Sequence, residues 1–182
     1  IDWQSAARTK LFEKFQRVHQ HAKISTSSSS IKYNTLYHPG GTATMVTDKY
    51  SGWVTDTGGD AELGQWSCLK ILSTHGRTIL LVTNYQVCHQ PGQHIGSCIA
   101  HAQQSSLLLQ QSRTSSPRKA FIEDFDKQVT EWIHEGYNLV IAGNINEELG
   151  NDINGFASIT SKHNLVEIIQ YHHGIKGKPP TY

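Results

Sequence analysis

The sequence predicts a mixed α and β fold, because two buried-strand patterns bracket a strongly amphipathic helix. Residues 79–82 and 139–142 are continuously apolar, as expected of strands that are buried on both faces. Between these segments, large apolar residues recur at three- or four-residue steps and define one helical face: Phe121, Phe125, Val129 and Trp132. Strands that bracket helices in this way favour a mixed class and argue against an all-β fold.

Capping residues support the helix predictions. Asp2 is a candidate N-cap for a helix to about residue 21, whose apolar face is formed by Leu11, Phe12, Phe15 and Val18. The Ser116-Pro117 pair predicts the start of the amphipathic helix, because proline suits the first helical position. Gly136 is its expected C-cap. Two further helices are predicted over residues 98–111 and 158–163.

The remaining segments predict strands and the connections between them. Strands or strand edges are expected over residues 42–46, 52–55, 65–72, 78–84 and 165–169. A tight turn at residues 74–77 joins two of these strands into a hairpin. The serine run of residues 25–30 is interpreted as a loop, and the Gly-rich segment of residues 56–59 as a turn. Asp56 and Asp60 are interpreted as structural residues of that turn.

Composition restricts the classes of protein. The 182 residues suit one domain, and 16 Lys and Arg against 15 Asp and Glu leave a net charge of +1. The net charge of the whole chain therefore does not indicate nucleic-acid binding, although a local cluster of basic residues is compatible with it. The spacings of Cys68, Cys88 and Cys98 match no zinc motif or disulfide framework, which favours reduced thiols in the nucleus or cytoplasm. No continuous apolar segment is long enough to span a membrane.

Three segments carry a family pattern. The first is Pro39-Gly40-Gly41-Thr42-Ala43 with Gly52-Trp53, the second covers residues 76–88, and the third joins residues 117–121 to Ala142-Gly143-Asn144-Ile145-Asn146-Glu147. In this order the segments resemble the endonuclease/exonuclease/phosphatase superfamily, especially the endonucleases of retroelements and the AP endonucleases. The resemblance covers roughly residues 2–182.

The resemblance implies a fold and a reaction. The fold is α+β, an αββα four-layer sandwich in which two sheets pack face to face with helices outside. The implied activity is a divalent-metal-dependent phosphodiesterase, usually with Mg²⁺ as cofactor. Phosphodiester cleavage needs an activated water, charge neutralisation at the phosphorus and help for the leaving oxygen.

Two residues match the catalytic pattern of the family, and a third departs from it. Tyr85 matches a tyrosine that contacts the phosphate, and Asn146 matches an asparagine at the phosphate or metal site. Asn144 stands where the family has a catalytic aspartate. An amide does not accept a proton as a carboxylate does, and loss of a general base lowers the rate by about two to four orders of magnitude. Whether the chain is an enzyme therefore stays open.

The resemblance also implies that the chain is part of a longer domain. A single domain over residues 1–182 is expected, with the family's first Asn and metal-binding Glu before Trp3 and its Asp and Asp-His pair after Tyr182. Two functions follow. One is a nuclease-like domain that is impaired in catalysis and takes nucleic acid as its partner. The alternative is a non-catalytic structural or interaction subunit, in which protein partners complete the sandwich.

Other interpretations of the same residues stay open. Arg118 and Lys119 are candidates for nucleic-acid contacts, or they form a solvated helix start. Tyr85 is alternatively a core tyrosine, and Asn144 and Asn146 are alternatively turn residues.

The carboxylates and histidines have two interpretations as well. Glu147 and Glu148 either replace a lost metal carboxylate or belong to a solvated turn. The eleven histidines show no zinc spacing, which favours ordinary surface histidines.

Overall fold

The computed structural model describes residues 6–30, 41–60, 62–88, 99–147 and 154–174. The described part contains α-helices and two β-sheets, which confirms the mixed α and β class. Its helices are α1 Ala6–Val18, α2 Ile99–Gln110, α3 Pro117–His134, α4 Phe156–Lys162 and α5 Ile168–His173. Its strands are β1 Lys23–Ser27, β2 Thr42–Val46, β3 Val54–Gly59, β4 Trp66–Leu72, β5 Thr78–Tyr85 and β6 Asn138–Asn144. A 3-10 helix, Asp48–Trp53, joins β2 to β3.

The strands form a two-stranded and a four-stranded sheet. β1 and β2 pair antiparallel, and the larger sheet has the order β3-β4-β5-β6. Its first three strands are antiparallel, and the predicted hairpin between β4 and β5 is confirmed. β6 pairs parallel to β5, and α2 and α3 lie between these two strands in the chain. The carboxyl ends of β5 and β6 therefore meet at one edge of the sheet.

The small sheet packs face to face against the large one. Val46 of β2 shares an apolar cluster with Leu69 and Ile71 of β4. Thr44 of β2 donates its hydroxyl to the carbonyl of Ser67 at 2.9 Å. A buried hydroxyl needs such a partner, and Thr44 finds it in the neighbouring sheet.

Helix α3 covers the opposite face of the large sheet. Its fully buried Phe125 contacts Trp66 of β4, with 5.4 Å between ring centroids, and stacks on Phe121 at 5.3 Å. Ser116 is the N-cap of this helix, Pro117 is its first residue, and Gly136 follows its end in the left-handed conformation at φ 81°. The predicted start and end of α3 are thus confirmed, and its apolar stripe faces the sheet as the spacing indicated.

The loop predicted over the serine run is wrong for residues 25–27, which belong to β1. The hydroxyl of Ser25 donates to the carbonyl of Gly58 at 2.7 Å, and that of Ser27 donates to the carbonyl of Asp60. These bonds satisfy the serines inside the sheet interface, where composition alone suggests solvent.

The turn predicted at residues 56–59 is also wrong, since these residues belong to β3 and pair with β4. A Cβ added at Gly59 would lie 2.9 Å from the carbonyl oxygen of Trp66 and 3.1 Å from the Cβ of Ser27. The glycine therefore serves a close approach of backbones in a strand. Asp60 follows the strand and accepts the amides of Glu62 and Gln65 at 2.9 and 3.0 Å, which confirms its structural role.

The strand predicted over residues 165–169 is wrong as well. The amide of Leu165 bonds to the carbonyl of Thr160 at 2.9 Å and closes the end of α4, and α5 begins at Ile168. A short apolar run does not distinguish a strand from a helix, and periodicity gave no further information here.

Strand β6 lies where the apolar run predicted it, but its burial was wrongly predicted. Val140 is 46% exposed, whereas Leu80 and Val82 of the neighbouring β5 are buried. β6 is the last strand of the large sheet in the described part of the chain, so only one of its edges pairs there.

The chain divides into two compact units, Ile1–Asn146 and Glu147–Tyr182. The first holds both sheets with α1, α2 and α3, and the second holds α4 and α5. The expectation of a single domain over residues 1–182 stays a prediction.

Candidate functional site

The structure brings four of the five predicted site residues to the carboxyl ends of β5 and β6. Tyr85 is the last residue of β5 and lies in register with Asn144, the last residue of β6. Asn146 follows two residues later, and Arg118 reaches this place from the first turn of α3. Because paired residues of neighbouring strands project to the same side of a sheet, Tyr85 and Asn144 share one face.

The two asparagines form a hydrogen-bonded turn. The side-chain oxygen of Asn144 accepts the amide of Asn146 at 3.0 Å, and Asn146 adopts φ 48°. The side-chain amide of Asn146 donates to the carbonyl of Gln86 at 2.6 Å, which ties the end of β6 to the end of β5. The turn interpretation of both residues therefore fits the structure, while Asn144 stays exposed at the rim.

Arg118 of α3 connects the same two strand ends through its side chain. Its guanidinium donates to the carbonyl of Val87 at 2.8 Å and to that of Asn146 at 3.3 Å. These two bonds give Arg118 a structural role at the strand ends. Its contact with nucleic acid stays a prediction.

Lys119 lies apart from this group. Its side chain is 70% exposed and its ammonium lies 3.8 Å from Glu123, one helical turn further along α3. This exposed position fits the alternative of a solvated helix start. Exposed ion pairs of this kind contribute little to stability.

Two buried amides beside the site were missed by the sequence reasoning. Asn84 is 2% exposed, and among the described residues its side-chain oxygen and nitrogen find no hydrogen-bond partner. Gln86 is 1% exposed and donates only weakly to the carbonyl of Arg118, at 3.5 Å. Both alternate with Leu80 and Val82 along one face of β5, so the period of two was the signal that could have located them.

Gly143 accommodates one of these amides. A Cβ added at Gly143 would overlap both the side-chain oxygen and the carbonyl oxygen of Asn84, its partner on β5. The glycine of the Ala142-Gly143-Asn144 segment is therefore required by close packing between the two strands.

The residues described at this site do not fit magnesium well. Mg²⁺ is usually held by one or two carboxylates together with water, whereas Tyr85, Asn144 and Asn146 offer phenol and amide oxygens. Within the described ranges, no group of three or more His, Cys, Asp and Glu residues lies close enough together to hold a metal ion.

The carboxylates considered as replacements do not change this donor set. Glu147 accepts the amide of Phe156 at the start of α4. Glu148 lies outside the described residues.

The histidine and cysteine predictions are tested only in part. His19 pairs with Asp48 at 3.6 Å, His172 is exposed, and His89 and His94 lie outside the described residues. Cys68 is buried, and its burial raises the pKa of the thiol to about 11, so it stays protonated at neutral pH. Cys88 is exposed.

No family model, no curated protein and no solved structure matches the chain. Among the described residues, the helices are too short or too polar to traverse a bilayer.

Proposed function

We propose that this chain is a nuclease-like phosphodiesterase domain, related to the retroelement and AP endonucleases, that binds nucleic acid with impaired catalysis. The observation that carries the proposal is the position of Asn144. It ends β6 in register with Tyr85, where the resemblance places a catalytic aspartate. The αββα four-layer sandwich and the origin in a retroelement belong to the same proposal.

The geometry of the strand ends supports binding of a phosphate. A phosphate oxygen accepts hydrogen bonds from neutral or positively charged donors. Such donors are present in the side chains of Tyr85, Asn144 and Arg118. The carboxyl ends of parallel strands in α/β sheets commonly hold ligands, because helices leave a crevice there. The hydrogen bonds of Arg118 connect the first turn of α3 to these strand ends.

Impaired turnover follows from the same residues. Asn144 does not act as a general base, and its oxygen already accepts the amide of Asn146. The donor set at the strand ends does not match Mg²⁺, so we expect no metal-dependent cleavage by residues 1–182.

Binding without cleavage is the first expected outcome. We expect the 182-residue chain to bind a duplex DNA with an abasic-site analogue, measured by fluorescence anisotropy, and to leave it intact when Mg²⁺ is added. Asn146→Ala should weaken this binding by about 5- to 20-fold, because it removes the bond between the strand ends and a donor near the phosphate.

The matched control is Asn138→Ala, at the opposite end of the same strand. It should bind like the wild type. Robust Mg²⁺-dependent cleavage by the wild type that is abolished by Tyr85→Phe or Asn146→Ala would contradict the impaired catalysis.

The alternative is a non-catalytic interaction subunit. It is favoured by the exposure of Val140 on β6, the last strand of the large sheet in the described part of the chain, since an exposed apolar side chain beside a strand edge suits contact with a partner protein. The same anisotropy measurement separates the two functions. No measurable binding of the duplex by the wild type supports the interaction subunit.

A further inference from the structure

The 3-10 helix Asp48–Trp53 presents two exposed aromatic rings. Tyr50 is 48% exposed and Trp53 is 39% exposed, and their rings meet edge to face with 5.4 Å between centroids. The ammonium of Lys49 lies 5.0 Å from the centre of the Tyr50 ring. Large aromatic side chains are normally buried, so an exposed pair beside a cation indicates a binding surface.

The short helix holds these rings in place. The hydroxyl of the buried Ser51 donates to the carbonyl of Asp48 at 2.6 Å, and the amide of Val54 bonds back to the carbonyl of Ser51. Asp48 also lies 3.6 Å from Nδ1 of His19, just beyond the end of α1. The surface is thus positioned before any ligand arrives, which lowers the entropy lost on binding.

A cleft of about 440 Å³ lies between this helix and the end of α1. Its walls carry the amides of Gln16 and Gln20, the cations of Lys23 and Lys49, and the carboxylate of Asp48. The amides and ammonium groups donate hydrogen bonds to anionic oxygens.

The charge of this region differs from that of the whole chain. Lys10, Lys14 and Arg17 recur at helical spacing along one face of α1, which ends beside the cleft. Residues 9–23 and 48–53 together hold five Lys and Arg against two carboxylates, while the whole chain has 16 against 15. The basic groups are therefore concentrated around the aromatic pair.

We propose that the rings of Tyr50 and Trp53, with the cations of Lys23, Lys49 and α1, form a binding surface for single-stranded nucleic acid. Successive bases stack on the rings and the phosphates contact the cations. Base stacking on aromatic rings together with a positive groove is the general mode of sequence-tolerant binding to single strands.

This aromatic–basic surface is separate from the strand-end site. The 3-10 helix follows Val46, and Val46 packs against Ile71 near the carboxyl end of β4. Tyr85 lies at the other end of β4, because the preceding residue of β5 pairs with Trp66, the first residue of β4. The inference therefore does not rest on the proposed function.

The experiment measures binding of the 182-residue chain to a fluorescein-labelled oligothymidylate of about 12 nucleotides. Tyr50→Ala and Trp53→Ala should each weaken binding about 5- to 100-fold, the range that follows from loss of one stacked base. Trp53→Phe keeps an aromatic face and should stay within about 3-fold of the wild type. Lys49→Gln should lower the slope of log affinity against log salt by about 0.7.

The matched control is Tyr171→Ala, since Tyr171 is an aromatic residue of α5 that is 75% exposed. It should leave the affinity unchanged. Arg118→Gln and Asn146→Ala probe the strand-end site in the same assay, so the two sites are told apart.

Three results overturn the inference. They are no binding of oligothymidylate by the wild type at low salt, equal affinities for Trp53→Ala and Tyr171→Ala, and loss of binding confined to the strand-end variants. If an alanine variant does not fold, Trp53→Phe and Lys49→Gln decide the question. Unchanged salt dependence in Lys49→Gln then counts against the surface.

Discussion

At the scale of single residues, the site depends on how tightly β5 and β6 approach each other. Asn84 occupies the space that the Cβ of any other residue at position 143 needs. The carbonyl carbon of Asn84 lies 2.8 Å from that Cβ position, and backbone atoms of a central strand move only at a high energetic cost. This contact fixes the distance between the two strand ends that carry Tyr85 and Asn144.

Gly143→Ala tests this contact. We expect the free energy of unfolding to fall by about 1–3 kcal/mol, because the added methyl overlaps β5. The decrease is measured by urea denaturation. Gly52→Ala is the control, since its Cβ meets nothing within 4 Å and its stability should be unchanged or higher. Equal stabilities of the two variants would show that β6 has room beside β5.

Residue types indicated the site, but the sequence did not predict the buried amides. Tyr85, Asn144 and Asn146 were located by the resemblance, and the structure places them together. Asn84 and Gln86 were overlooked because polar residues inside an apolar strand are usually assigned to its exposed face. Their burial depends on α3, which covers that face from a distant part of the chain.

At the scale of elements, helix α3 is the best-predicted part of the fold. Its N-cap, its first proline, its apolar stripe and its terminal glycine are all local signals, and local signals determine where a helix begins and ends. β1 and β3 lack such signals. Their serines and glycines form strands because hydroxyls and close backbones are satisfied by a second sheet, which tertiary structure alone provides.

The link between α3 and the sheet gives a prediction for Arg118. Arg118→Gln removes charged hydrogen bonds to Val87 and Asn146, and we expect it to lower the free energy of unfolding by about 1–3 kcal/mol. Lys119→Gln, one residue away and exposed, should cause no measurable change. Urea midpoints of the two variants provide the test. Equal midpoints would show that the guanidinium does not hold the strand ends together.

At the scale of the whole molecule, the mixed class was predictable and the burial of its edge was not. The apolar run of β6 suggested a strand covered on both faces, yet Val140 is largely exposed. Apolar composition reports what a strand is suited to bury, whereas its actual burial depends on what packs against it. The same distinction applies to function, because residue types indicate phosphate chemistry while turnover depends on the complete donor set.

The most direct test of the central claim is Mg²⁺-dependent cleavage of abasic-site DNA by Asn144→Asp, compared with Asn138→Asp. The first variant places a carboxylate where the resemblance expects one, and the second places the same group at the other end of β6. In a chain extended at both ends to include the metal-binding Glu and the Asp-His pair that the resemblance implies, we expect Asn144→Asp to cleave about 100-fold faster than the same chain with Asn144, in line with the usual contribution of a general base. Asn138→Asp should cleave like the wild type. Equal cleavage rates for the two variants would contradict the account that Asn144 is the residue at which catalysis is impaired.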